Sequence, residues 1–353
     1  MTKRIFLPLL IFITLPLLLS SSNDMKSLFT EHSYEEILEF TSTVNVYDVD
    51  DNGANYLMHA CAHNNDVRVI KLLLDLHLSV DSEDNNGNTP LIYAAQNSSN
   101  PEIIRCLVKY GADIEHLNIN RNTPLLFAVW QNPCPGITIV LLDLGADTSY
   151  KTPDESTLLM VCASNNSSVE IVNLLLDRGF CVDDVALDDW NSLHYAACYN
   201  RSVEMIETLI AHTNEVDSPT SNGITPLMMA CFNNTEIDIP LLLLTHGASV
   251  YAQDNGKKTP LHYVVTGSCS PLIAQLLYDA GADVNHVDEG GVSALMLACY
   301  QSESAEIIET LLDLGSDPLL VSNDGYIAYD YLLHNRYLYV SDIAKVLRKA
   351  SGR

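Results

Sequence analysis

One phrase, NGNTPLIYAAQ at residues 86–96, returns with variation along almost the whole chain at a spacing of 34 residues. With Thr89 as its marker, the same place falls on Asn55, Thr123, Thr157, Asn191, Thr225, Thr259, Ser293 and Ile327, and no step is longer or shorter. Two residues past the first eight markers stands a leucine, from Leu57 to Leu295, and Tyr329 closes the series. Five past sits a mostly small residue: Ala60, Ala94, Ala128, Cys162, Ala196, Ala230, Val264, Ala298 and finally Leu332. A fixed period of this size demands a stack of similar units, because a single unit cannot bury its own apolar face.

Each unit reads as two short helices. The marker caps the first, and the proline after it suits a first turn whose N–H has no helical partner. The leucine and the small residue share a face, and small side chains let neighbouring helices approach. An Asn/Ser-rich break follows, then an apolar second helix such as residues 103–108 or 171–176. That helix stops at Gly111, Gly145, Gly179, Gly247, Gly281 or Gly315, where a left-handed C-terminal cap favours glycine. A short extended piece and a turn complete the unit, with Gly53, Gly87, Gly223, Gly291 and Gly325 two residues before the marker. Asp50, Asp84, Asp254 and Asp288 recur five before the marker, as carboxylates that brace a turn through nearby backbone.

The pattern resembles the ankyrin repeat, most closely in Thr259-Pro260-Leu261-His262 and in the run Gly281-Ala282-Asp283-Val284-Asn285. The resemblance spans residues 26–350 and implies an all-α solenoid of helix-turn-helix units with β-hairpin fingers. The family period is usually 33, and the extra residue here falls in the break between the two helices. Histidine follows Thr-Pro-Leu only at His262, with His194 in the matching place, and each is expected to be a structural hydrogen-bonder.

The expected organisation is a signal peptide over residues 1–22, an N-terminal capping unit over 23–54, eight repeats over 55–326 and a C-terminal capping unit over 327–353. Together these form one elongated domain. Lys3 and Arg4 precede an apolar run over residues 5–19, with Ser20 and Ser22 where a signal peptidase prefers small residues. The run is short for a membrane helix and is broken by Pro8 and Pro16. An uncleaved membrane anchor and an unused signal remain the alternatives, with a cytoplasmic scaffold as the alternative localisation. Asn97, Asn165, Asn166, Asn200 and Asn233 begin glycosylation sequons, all in the inter-helix breaks. The nine cysteines are an odd number with no metal-ligand spacing, and Cys61, Cys162, Cys231 and Cys299 read as small core residues.

Charge narrows the partner. The chain carries a net −27, and residues 27–320 hold 41 acidic against 10 basic residues. Such a body repels phosphate backbones and anionic lipid, and draws basic protein surfaces in a salt-sensitive way. No nucleophile, phosphate loop, metal set or carboxylate pair stands free of the repeat, so a non-enzymatic monomer without cofactor or metal is expected. Its expected function is protein recognition in a secreted or luminal setting. In ankyrin repeats the partner meets the finger tips, the residue before the marker and the end of the first helix. Carried onto this chain, the resemblance implies contacts through Trp130, Trp190, Ile224, Phe232, Tyr300 and Tyr326, and through the tips Asn86, Asn120, Asp154, Asp188, Asn222 and Glu289. Trp190, Ile224 and Phe232 are expected to form a central aromatic patch of the kind that supplies binding hot spots.

Overall fold

The computed structural model describes residues 22–165 and 168–352. The expected signal segment before Ser22 and the sequon at Asn166 lie outside the described residues. The array that reads as one domain divides into two compact units, Met1–Pro153 and Asp154–Arg353.

In the first unit the helices run α1 (Ser22–Glu31), α2 (Tyr34–Thr41), α3 (Tyr56–His63), α4 (Val67–Asp75), α5 (Pro90–Asn97), α6 (Pro101–Lys109), α7 (Pro124–Gln131) and α8 (Pro135–Asp143). In the second they run α9 (Leu158–Asn165), α10 (Val169–Asp177), α11 (Ser192–Tyr199), α12 (Val203–Ile210), α13 (Pro226–Asn233) and α14 (Asp238–Thr245). They continue as α15 (Pro260–Thr266), α16 (Pro271–Asp279), α17 (Ala294–Gln301), α18 (Glu306–Asp313), α19 (Ala328–Leu332) and α20 (Asp342–Ala350). First helices stack on first helices, as α3 on α5 on α7 and α9 on α11 on α13, and second helices on second helices within each unit, as α4 on α6 on α8 and α10 on α12 on α14. None of the described helices is long and apolar enough to cross a membrane.

Local chemistry sets these bounds. The hydroxyls of Thr89, Thr123 and Thr225 accept the N–H of Ile92, Leu126 and Met228, each at the start of a first helix. The second helices end on left-handed glycines, Gly111 at φ +95° for example, with the Ala112 N–H donating back to the Leu107 carbonyl. The small column packs at zero exposure at Ala60, Ala94, Ala128, Cys162, Ala196, Ala230, Val264 and Ala298.

The breaks carry a device not anticipated from the sequence. Nine residues past the marker a buried or part-buried polar side chain reaches back to the preceding repeat. Asn132 donates from Nδ2 to the carbonyls of Ala95 and Ser98, while its Oδ1 accepts the Cys134 N–H. Asn200 and Asn234 donate in the same way to Ala163 and Ala197, and the Ser268 hydroxyl donates to Cys231. This corrects the glycosylation expectation at Asn200. Its side chain is 8 % exposed and its amide nitrogen is committed inside the stack, leaving no room for a sugar.

Two further details depart from expectation. The N-terminal unit has a first helix, α1, which buries Met25, Leu28 and Phe29 although it lacks the marker phrase. The fingers contain no regular strand among the described residues. Val49–Asn55 and Val287–Ser293 are isolated antiparallel bridges, and the other fingers are tight turns.

Candidate functional site

The fingers are built from their own carboxylates. Asp84 Oδ1 accepts the N–H groups of Asn86 and Asn88, and Asp288 Oδ1 those of Gly290 and Val292. Where the first helix offers a partner nine residues on, the other oxygen takes it. Asp84 receives the Tyr93 hydroxyl at 2.9 Å, Asp254 that of Tyr263 at 2.8 Å, and Asp50 meets His59 Nε2 at 3.0 Å. Neighbouring fingers are zipped by backbone. The carbonyls of Asn86, Asp154 and Asn222 accept the N–H of Ile119, Leu187 and Asn255. The tip side chains Asn86, Asn120, Asp154, Asp188, Asn222 and Glu289 all stand exposed above this zip.

His194 and His262 act structurally. The backbone N–H of each cap residue, Asn191 or Thr259, donates to Nδ1. Nε2 then donates to a carbonyl of the next repeat, Ile224 at 3.1 Å or Val292 at 3.2 Å. Burial lowers both imidazoles to about 4, so they are neutral at physiological pH.

The aromatic residues fall into separate groups. In the first unit Trp130 is half-buried and stacks on Phe127 with centroids 6.1 Å apart. In the second, Trp190 is half-exposed and its ring neighbours are Tyr195 at 5.2 Å, His194 at 6.1 Å and Tyr199 at 6.2 Å. Phe232, 41 % exposed, lies instead against Gly267, where a Cβ would stand 2.5 Å from its ring and 2.1 Å from its carbonyl oxygen. Ile224 is half-buried and offers its carbonyl to His194. Tyr300 and Tyr326, about half exposed, each meet Tyr331 edge-on, at 6.4 and 6.2 Å. Among the described residues no ring contact joins Trp190 to Phe232, so the expected central patch resolves into a Trp190 group and a neighbouring Phe232.

Tyr195, Tyr199 and Tyr331 are the members that sequence reasoning missed. Tyr195 and Tyr331 stand four past the marker and Tyr199 eight past, outside the positions carried over from the family. The available signal was the spacing of Tyr195 and Tyr199, four apart on one helix face. Conversely, Ala62, Ser164 and Cys198, seven past their markers, are buried and offer a partner nothing. Of the remaining sequons, Asn97, Asn165 and Asn233 are exposed.

The comparisons agree with this architecture. A family model described as ankyrin repeats in three copies matches residues 28–118, 57–152, 125–220, 159–254, 193–288 and 227–322. No curated protein matches the chain. Helix pairs at a constant 34-residue register, stacked first on first and second on second and covered by that model over most of their length, show that the chain belongs to the ankyrin-repeat family of protein–protein interaction scaffolds.

Proposed function

We propose that this chain is a non-enzymatic recognition module that binds a basic protein surface through its finger-bearing side, as a monomer in the secretory lumen or outside the cell. The observation that carries the reading is the repeat marked by Asn191. There a part-buried Trp190 and an exposed Tyr199 break the repeat pattern, and Asp154 and Asp188 stand on the adjacent tips. Aromatic anchors on a rigid frame bind with little ordering of the binder, and a surplus of carboxylates favours a basic partner. The irregular positions supply rings rather than nucleophiles or bases, and His194 and His262 have both ring nitrogens engaged.

Two observations favour the secretory setting. The basic and apolar start has the composition of a signal, and a mature chain starting near Asn23 keeps the buried Met25, Leu28 and Phe29. Asn97 and Asn165 remain exposed for glycan addition, whereas the Asn233 amide, though exposed, donates to the Cys198 carbonyl of the preceding repeat.

The test is cross-linked capture from the native cell with the wild type and with a Trp190→Ala/Phe232→Ala variant whose melting is unchanged. The wild type is expected to retain basic proteins that salt and the variant both release. An identical set of captured proteins from the two chains overturns the reading. Sequencing the mature amino terminus tests localisation: a start near Asn23 supports it, and an intact Met1 overturns it.

A further inference from the structure

We propose that Trp190, Tyr195 and Tyr199, rimmed by Asp188 and Asp154, form a seat for one cationic side chain of the partner, an arginine in preference to a lysine. The inference rests on the protein-binding reading and specifies what this one repeat recognises.

Three departures from the repeat coincide here. Five before the marker, where Asp84 and Asp254 hold a tyrosine hydroxyl, this repeat has Ala186. Tyr195 therefore has no carboxylate of its own turn to bind, and its hydroxyl lies 3.1 Å from Ser156 Oγ of the preceding finger. One before the marker, Trp190 stands where other repeats carry Asn88, Asn122 or Lys258. Eight past it, Tyr199 is 56 % exposed where Gly267 has no side chain at all. The result is two tyrosine rings within 6.2 Å of Trp190, with Tyr199 the exposed member of the group and Trp190 and Tyr195 part-buried.

The carboxylates give the rings their sign preference. Asp188 Oδ1 accepts the Trp190 backbone N–H at 3.1 Å, which holds that carboxylate in the turn that carries Trp190, and it has no ion-pair partner among the described residues. Asp154 accepts the Ser156 hydroxyl and so lies on the Tyr195 side. The two charges also raise the Tyr195 phenol, behind the larger effect of burial, and Asp188 raises that of Tyr199, behind burial and Cys198. A cation over an aromatic face gains from the ring quadrupole, and a guanidinium can lie flat on a ring while its edge pairs with a carboxylate. A lysine ammonium keeps only the point-charge part of that match.

The experiment uses the full chain and three nine-residue Gly/Ser peptides carrying arginine, lysine or neutral citrulline at the centre. Binding is read from the Trp190 indole N–H resonance, assigned by its loss in Trp190→Phe. The arginine peptide is expected to bind about tenfold more tightly than the citrulline peptide, with lysine between them. Asp188→Asn, which keeps the acceptor for the Trp190 backbone N–H, and Tyr199→Ala should each remove most of that preference. Equal binding of arginine and citrulline, or a preference that survives both variants, overturns the seat. The two readings fail separately. If Trp190→Ala/Phe232→Ala loses its captured proteins while citrulline equals arginine, recognition stands and the seat falls. If capture is unchanged while the arginine preference persists and responds to the variants, the seat stands and the broader recognition reading falls.

Discussion

The repeats marked by Asn191 and Thr259 share a backbone plan and differ in what they present. Each has histidine three past its marker, tyrosine four past, and a polar residue nine past that bonds the preceding repeat. The Thr259 repeat spends its polar groups internally. Asp254 braces the turn through the Lys258 N–H and holds the Tyr263 hydroxyl, and Gly267 lets α15 close onto the Phe232 backbone. The Asn191 repeat lacks that carboxylate and that glycine; it has Ala186 and an exposed Tyr199 in their places, and a part-buried Trp190 one before the marker. One frame thus serves both cohesion and recognition, and the choice is made at three positions: five before, one before and eight past the marker.

The feature the two repeats share should give the largest effect. Unfolded, each histidine titrates near its ordinary 6.5; folded, His194 and His262 titrate at about 4. Between those values the unfolded chain binds more protons. The stability present above pH 6.5 is therefore lost as pH falls towards 4, by about 3 kcal/mol for each histidine. Urea unfolding across that range should show equal reductions in slope for His194→Gln and His262→Gln. Unequal reductions would break the equivalence of the two frames.

The next contrast lies eight past the marker. Gly267→Ala places a methyl 2.1 Å from the Phe232 carbonyl oxygen and should destabilise by about 3 kcal/mol or more. Tyr199→Ala, at the matching exposed place, should lower stability by about 0.5 kcal/mol or less. Thermal melts of the pair check the division of labour directly. The smallest effect is at the turns, where Lys257 and Asp189 hold left-handed conformations at φ +62° and +61°. Lys257→Gly should stabilise by about 1 kcal/mol. Asp189→Gly should gain less, because the Asp189 carboxylate accepts the Ser221 N–H, a bond that glycine deletes.

Much of the scaffold was legible in the residues. The constant marker placed the first helices to within a residue, Thr-Pro and Gly named their ends, and Asp84, Asp254 and Asp288 were read correctly as turn carboxylates. What was missed needed neighbours from another repeat. Asn200 reads as a sequon until the Ala163 carbonyl is seen against its amide. Tyr195 and Tyr199 look like ordinary helix residues until Trp190 is placed over them. Helix α1 carries no marker, and only the burial of Met25, Leu28 and Phe29 identifies it as the start of the stack.

The backward-reaching asparagines bear on how the protein would respond to tension. Asn132, Asn200, Asn234 and Asn335 each tie a repeat to the one before it by bonds shielded from water. A chain pulled from its ends would therefore resist at these ties and yield one repeat at a time. Each rupture would free 34 residues, roughly 110 Å of contour. The invariant period would then be written into a force–extension trace as evenly spaced steps, as in a spring of matched coils.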